Sequence, residues 1–178
     1  DPVGTMYGSQ PIQPEDDHSP DPGVKCFVTG NGVPGGPPGD ADVDYGCTTL
    51  RSPVFDLSGT QWAAVRYWRW WGEGSESTDD EFAADVSSDG GNTWVPLERI
   101  PDAMTEWGRV AFDLTTKITL TNQVVFRFIA CDLNIAGLVE AAVDDFSLEV
   151  FTSNVTDVPA APAGPTVFAL EPGRPNPF

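Results

Sequence analysis

Histidine and basic residues are scarce in this chain. Its 178 residues include a single histidine, His18, and nine lysine or arginine residues against 27 acidic residues, for a net charge of −18. A surface with this charge repels nucleic acids and anionic membranes, so neither is an expected partner. One histidine excludes a histidine-rich zinc centre within the chain, and no Gly-x-Ser-x-Gly, P-loop or HExxH motif is present. We therefore predict that the protein is not an enzyme.

Long apolar runs are absent as well. No stretch approaches the ~20 apolar residues of a membrane-spanning helix, so membrane insertion is not expected. The first residues lack the basic and apolar regions of a signal peptide, which places any export signal upstream or in a part already removed. The acidic composition suits divalent cations, basic partners or simply solubility outside the cell.

The 3.6-residue periodicity of an amphipathic helix is missing from every segment. Instead, 18 glycines and 17 prolines punctuate the chain, and six tryptophans and ten phenylalanines supply large apolar side chains. This composition predicts roughly eight or nine short strands joined by turns, which is typical of an antiparallel β-sandwich. We place the sandwich at residues 1–151, a Pro/Ala-rich linker at 152–165, and a further strand with a short C-terminal segment at 166–178.

A run of aromatic residues ends the predicted strand Ala63–Trp71. Aromatic rings stack on sugar faces and anchor protein interfaces, so the run is a candidate recognition surface, although the same rings could fill a sandwich core. The candidate interface residues are Tyr67, Trp68, Trp70 and Trp71. Strand alternation places Val65 and Tyr67 on one face, and Arg66, Trp68 and Trp70 on the other.

Three cysteines allow one disulfide and leave one free thiol. Cys26 and Cys47 flank one Gly/Pro-rich loop, and we predict that they form the disulfide. Cys131 follows an apolar run and is predicted to be a buried free thiol. None of the cysteines has CxxC spacing, which argues against a zinc–cysteine site.

The C-terminal residues carry a first resemblance. Leu170-Glu171-Pro172-Gly173-Arg174-Pro175-Asn176-Pro177-Phe178 contains a Pro-Asn-Pro-Phe box after a short polar spacer. This segment resembles the opening of the C-terminal sorting domains of secreted bacterial proteins, of the type IX secretion and related FlgD-like families. The resemblance implies a piece of a larger exported bacterial protein that stops where its sorting domain would begin.

Several phrases in residues 1–151 carry a second resemblance. Together they resemble jelly-roll modules attached to secreted bacterial peptidases of the zinc carboxypeptidase type, and also MAM domains. The resemblance implies a jelly-roll β-sandwich, and family members have opening strands before the segment that matches Asp1–Thr5. The phrases are Asp1–Thr5, Pro14–Pro20, Cys26–Gly30, Asp42–Pro53 and Val139–Phe146.

Acidic residues cluster at several predicted loops and at one strand. Calcium takes about six to eight oxygen ligands, mostly carboxylates and carbonyls from separate loops. The resemblance to MAM-like domains implies a calcium ion between the loop of Asp17 and the strand of Asp144, with Asp42 or Asp44 as a further ligand. Glu140 lies on the same strand face as Asp144 and completes the candidate set. The alternative is that these acids only form turns.

Three functional hypotheses follow from these features. The leading one is a non-catalytic, calcium-stabilised module of a secreted or surface protein that mediates adhesion or assembly, with a protein or glycan at the cell surface as partner. The second is a carbohydrate-binding accessory module of an extracellular hydrolase. The third is a subunit of an extracellular filament that assembles when the strand near residues 166–170 completes the sheet of a neighbouring copy.

Overall fold

Two antiparallel sheets pack face to face, which confirms the predicted β-sandwich. The computed structural model describes residues 2–74, 79–133, 137–153 and 166–169, the last four by backbone alone. No helix within these ranges is long and apolar enough to cross a membrane. The strands are β1 (Thr5–Tyr7), β2 (Gln10–Gln13), β3 (Phe27–Val28), β4 (Gly46–Arg51), β5 (Trp62–Glu73), β6 (Glu81–Ser87), β7 (Val95–Ile100), β8 (Gly108–Asp113), β9 (Val125–Asp132), β10 (Val139–Phe151) and β11 (Thr166–Ala169).

The larger sheet, called the front sheet below, has the order β11-β10-β5-β8, and β3 also pairs with β10. The smaller, or back, sheet has the order β4-β9-β6-β7. β1 and β2 form a separate hairpin. The Asp-Gly and Gly-Gly pairs within residues 88–91 predict a hairpin turn. The structure joins β6 and β7 there, and Gly90 and Gly91 have φ values of 74° and 94° that favour glycine.

β5 and β10 form the centre of the front sheet. They pair along almost their whole length, from Trp62 opposite Phe151 to Glu73 opposite Val139. A bulge interrupts this pairing between Asp144 and Ser147, and Asp145 there has a left-handed φ of 48°. A bulge re-aims side chains, and this one turns two adjacent carboxylates towards the outer face of the sheet.

The predicted alternation along β5 is confirmed. Val65 and Tyr67 are fully buried between the sheets, where the Tyr67 ring meets Phe128 of the back sheet edge to face at 4.9 Å. The Tyr67 hydroxyl donates to Glu98 Oε1 at 2.7 Å, and Arg69 Nε donates to Glu98 Oε2 at 3.0 Å. A single carboxylate on β7 thus ties two side chains of the front sheet to the back sheet.

The hairpin of β1 and β2 was not predicted, because the first 24 residues read as turns. It packs on the outer face of the front sheet, where Trp70 Nε1 donates to the Ile12 carbonyl at 2.7 Å. A β-carbon at Gly72 would lie 1.8 Å from the Ile12 oxygen, so only glycine allows this approach. The hairpin therefore covers one end of that face.

β11 pairs with β10 of its own chain, with Thr166 opposite Val150 and Ala169 opposite Ser147. The filament hypothesis gives this strand to a neighbouring copy, whereas here it extends the front sheet of the same molecule. The sequence of residues 53–56 also predicts an extended segment, which contributes only a bridge between Phe55 and Val124. Most of the predicted linker and the Pro-Asn-Pro-Phe box lie outside the described residues.

The predicted Cys26–Cys47 disulfide is wrong, because the structure pairs Cys47 with Cys131. These two residues lie directly opposite each other on the neighbouring strands β4 and β9. Cys26 adjoins β3 in the other sheet and is the free thiol. The pairing depends on strand register across 84 residues of sequence, and the spacing of the cysteines does not reveal that register.

Replacing both Cys47 and Cys131 with serine should lower the free energy of unfolding by about 4 kcal/mol, because the disulfide closes a long loop in the unfolded chain. Urea denaturation followed by fluorescence measures this change. Cys26→Ser is the control, and it should lower the free energy of unfolding by about 1 kcal/mol or less. Equal stability of the double variant and the wild type would contradict the assigned pairing.

Candidate functional site

Residues 14–23, called the His18 loop below, lie over the β10 bulge on the outer face of the front sheet. Asp144 Oδ2 accepts hydrogen bonds from the backbone N–H groups of His18 at 2.8 Å and Ser19 at 3.2 Å. Asp145 Oδ2 lies 2.8 Å from His18 Nδ1, and Asp145 Oδ1 accepts a hydrogen bond from the Ser19 hydroxyl at 3.0 Å. The two carboxylates that the bulge exposes thus hold the loop from below.

Aromatic rings hold the same loop from the side. The His18 imidazole stacks on the Trp68 indole with ring centroids 3.5 Å apart and an interplanar angle of 18°. Trp107 meets His18 edge-on at 6.1 Å, and its Nε1 donates to the Asp16 carbonyl at 3.2 Å. His18 is therefore a positioned stacking partner between the loop and the sheet.

Asp17 is the unusual residue of the loop. It is only 6% exposed, and neither of its carboxylate oxygens has a hydrogen-bond partner among the described residues. A buried carboxylate without a partner is costly, so such a group calls for a cation or a donor. A β-carbon at Gly23 would lie 2.6 Å from the Ser19 β-carbon and 3.3 Å from Asp17 Oδ2, so the glycine allows the loop to pack closely around this carboxylate.

The surroundings of Asp17 are negative. Burial raises the pKa of the Cys26 thiol to about 12, and the charges of Asp144 and Asp17 add to this effect. Burial also raises the pKa of the Asp144 carboxyl above its ordinary value. Asp17 and Asp144 are thus two acidic groups in one poorly solvated region, and such a region favours the binding of a cation.

Asp17 supplies two of the oxygen donors that a calcium ion would need. Both Asp17 oxygens are free to bind a metal, and hard oxygen donors are the ligands that calcium takes in proteins. Asp144 is the second carboxylate of the region and at the same time organises the loop backbone. Asp17 and Asp144 are the two residues that the family resemblance places beside calcium.

The other predicted ligands lie elsewhere. Glu140 is four residues from Asp144 along β10, roughly 13 Å away in an extended strand, and accepts hydrogen bonds from Thr29 and Gln13. The charge of Asp42 adds to the raised pKa of Glu140, whose main cause is burial, and the charge of Asp44 adds in the same way to the raised pKa of Asp42. Within the described ranges no group of three or more His, Cys, Asp or Glu side chains is arranged to hold a metal. The five predicted ligands therefore do not form one centre.

Most of the predicted aromatic interface is buried. Tyr67 and Trp71 are 0% exposed between the sheets, and Trp70 is 5% exposed beneath the β1–β2 hairpin. These three rings stabilise the fold, and the prediction that they form a recognition surface is wrong. Trp68 is the exception, since it remains partly exposed beside the His18 loop.

An open polar groove continues from Trp68 along the outer face of the front sheet, with a volume of about 380 Å³. Sequence reasoning found Trp68 and placed Arg66 on the same strand face, but it missed the residues that β8 and β10 contribute. Only the strand register brings Arg109 opposite Trp68 and Ser147 opposite Arg66. The groove is lined by Arg66, Tyr67, Trp68, Arg109, Asp145, Ser147 and Glu149.

Comparison with known proteins finds no protein family whose profile matches the chain, and no curated protein matches it. Among solved structures it is similar to TmCBM61, determined in complex with β-1,4-galactotriose. The TM-score is 0.32 at 16% sequence identity, and the match covers 57% of this chain and 59% of that chain. A likeness this distant carries no weight in assigning a ligand.

Glu140 gives a pH-dependent prediction. Burial raises the pKa of its carboxyl from 4.5 to about 7, so the folded protein keeps a proton that the unfolded chain has already released. The free energy of unfolding should therefore fall as the pH rises from 4.5 to about 7. Glu140→Gln cannot ionise and should lose this part of the slope.

Thermal unfolding in EDTA at several pH values measures the effect. The control is Glu106→Gln, which removes the same charge at an exposed position. This variant should keep the wild-type dependence of stability on pH. Identical pH profiles for Glu140→Gln and the wild type would show that Glu140 ionises normally.

Proposed function

We propose that this chain is a non-catalytic, calcium-stabilised β-sandwich module of an exported protein, and that it mediates adhesion or assembly at the cell surface. In this role a calcium ion bound by Asp17, with Asp144 beside it, holds the His18 loop on the front sheet. The loop and the sheet then present a fixed outer surface to a partner. The bound ion supplies charge compensation and takes no part in a reaction.

The observation that carries the proposal is the buried, unpaired carboxylate of Asp17. Elsewhere in the His18 loop, Asp144 and Asp145 accept the backbone and side-chain donors of His18 and Ser19. Asp17 alone points two oxygens into a buried region and meets no donor among the described residues. A divalent cation compensates that charge, whereas a purely turn-forming aspartate would bond to nearby N–H groups.

The disulfide supports a location outside the cytoplasm. Disulfides persist in oxidising compartments and are rare where thiols are kept reduced. Cys47 and Cys131 stand directly opposite each other on paired strands, so the bond fits the fold. The acidic charge of −18 agrees with a protein that stays soluble outside the cell.

The surroundings of His18 support a role other than catalysis. Its ring is stacked on Trp68, and Nδ1 pairs with Asp145, an arrangement that fixes the loop. Ser19 donates to the same Asp145 carboxylate and makes no hydrogen bond to the imidazole among the described residues. A serine that histidine activates as a nucleophile needs a hydrogen bond between its hydroxyl and the imidazole.

Calcium should raise the melting temperature of the wild-type protein by several degrees relative to EDTA, because a ligand that binds only the folded state stabilises it by mass action. Asp17→Asn should lose this shift. In EDTA the variant should be at least as stable as the wild type, since it removes a buried unpaired charge. Differential scanning calorimetry with EDTA, magnesium or calcium measures all of these values.

Asp16→Asn is the matched control, because Asp16 is the exposed neighbour of Asp17 and contributes its backbone carbonyl, which the substitution leaves in place. It should keep the full calcium shift. The proposal fails if the wild type melts at the same temperature in calcium and in EDTA, or if Asp17→Asn responds as the wild type does.

A further inference from the structure

The open groove on the outer face of the front sheet has the form of a ligand site. The β1–β2 hairpin covers one end of this face above Trp70, and the His18 loop covers the next section above Trp68. Beyond the loop the strands β8, β5 and β10 are uncovered. The resulting space of about 380 Å³ lies within the range of small-ligand sites.

Cationic donors lie on its floor. Arg109 on β8 is exposed and pairs with no carboxylate in the described part of the chain. Arg66 on β5 forms an ion pair with Glu149 of β10. The planar guanidinium groups present several N–H donors in fixed directions, which suits neighbouring oxygen atoms on one ligand.

Acceptors and an aromatic surface complete the groove. Glu149 and Asp145 supply carboxylate oxygens, and Ser147 supplies a hydroxyl that both donates and accepts. The Trp68 ring is fixed by its stack with His18, so it adds a rigid apolar wall at little entropic cost. Donors, acceptors and one flat ring are thus gathered within a single polar depression.

These donors, acceptors and the single indole ring favour some classes of ligand over others. An apolar peptide would find mostly charged groups there. An acidic ligand would meet Asp145 and Glu149 as well as the arginines, and it would approach a chain of net charge −18. A neutral sugar offers hydroxyls that donate and accept in turn, and it has apolar ring faces for an indole.

We infer that this groove binds a neutral glycan, with Arg66, Arg109 and Glu149 bonded to sugar hydroxyls and Trp68 against a sugar face. The inference rests on the proposed function and gives the binding module its ligand class. The groove is a site separate from Asp17. Calcium affects it only indirectly, since the ion holds the loop whose His18 supports Trp68.

Affinity electrophoresis tests this inference with the whole chain in calcium buffer. The gels contain β-glucan, xylan, galactan, mannan or pullulan as neutral polysaccharides, and polygalacturonate or alginate as acidic ones. At least one neutral polysaccharide should retard the wild-type protein. Arg109→Ala and Trp68→Ala should each weaken that binding tenfold or more, as measured by calorimetry with oligosaccharides of the retarding polymer.

Arg51→Ala removes an arginine that is exposed on the back sheet and should bind like the wild type. If Trp68→Ala fails to fold, Arg109→Ala still decides, because Arg109 makes no ion pair among the described residues. Retardation by none of the neutral polymers, binding to acidic polymers alone, or equal losses in Arg109→Ala and Arg51→Ala would overturn the inference. The calcium-dependent melting shift, measured on the same samples, shows separately whether the proposed function stands.

Discussion

The pairing of β5 with β10, with the bulge that interrupts it, is the constraint on which the rest of the structure depends. The regular part of this pairing turns Val65 and Tyr67 into the core. The irregular part at Asp144 and Asp145 turns two carboxylates outwards, and these bind the His18 loop. A regular strand would point one of two adjacent side chains to each face, so the bulge is what allows both to contact one loop.

The loop, the candidate calcium site and the groove form one connected region. Asp144 and Asp145 hold the loop backbone, the loop places His18 on Trp68, and Trp68 forms one wall of the groove. Asp17 lies within the same loop, and its buried carboxylate has no hydrogen-bond partner among the described residues. A cation at Asp17 would therefore stabilise the loop and, through His18, the wall of the groove. Under the proposed function, the same small set of contacts would serve both stability and recognition.

Sequence patterns predicted the parts of the fold that depend on local chemistry. The alternation along β5 placed Val65 and Tyr67 on one face, which the structure buries, and the glycines at positions 90 and 91 predicted a hairpin turn. The features that depend on strand register could not be predicted from the sequence. The Cys47–Cys131 bond and the groove residues Arg109 and Ser147 are set by which strands become neighbours. The β1–β2 hairpin was missed because its prolines and glycines resemble a loop, and the hairpin is what buries Trp70.

We propose that the buried Asp17 carboxylate has a calcium ion as its partner. A crystal structure of the chain grown with calcium is the sharpest test. A cation should lie about 2.3–2.6 Å from the Asp17 carboxylate oxygens, beneath the His18 loop. A structure in which a protein donor or a water molecule satisfies Asp17, while calcium binds elsewhere or not at all, would contradict it.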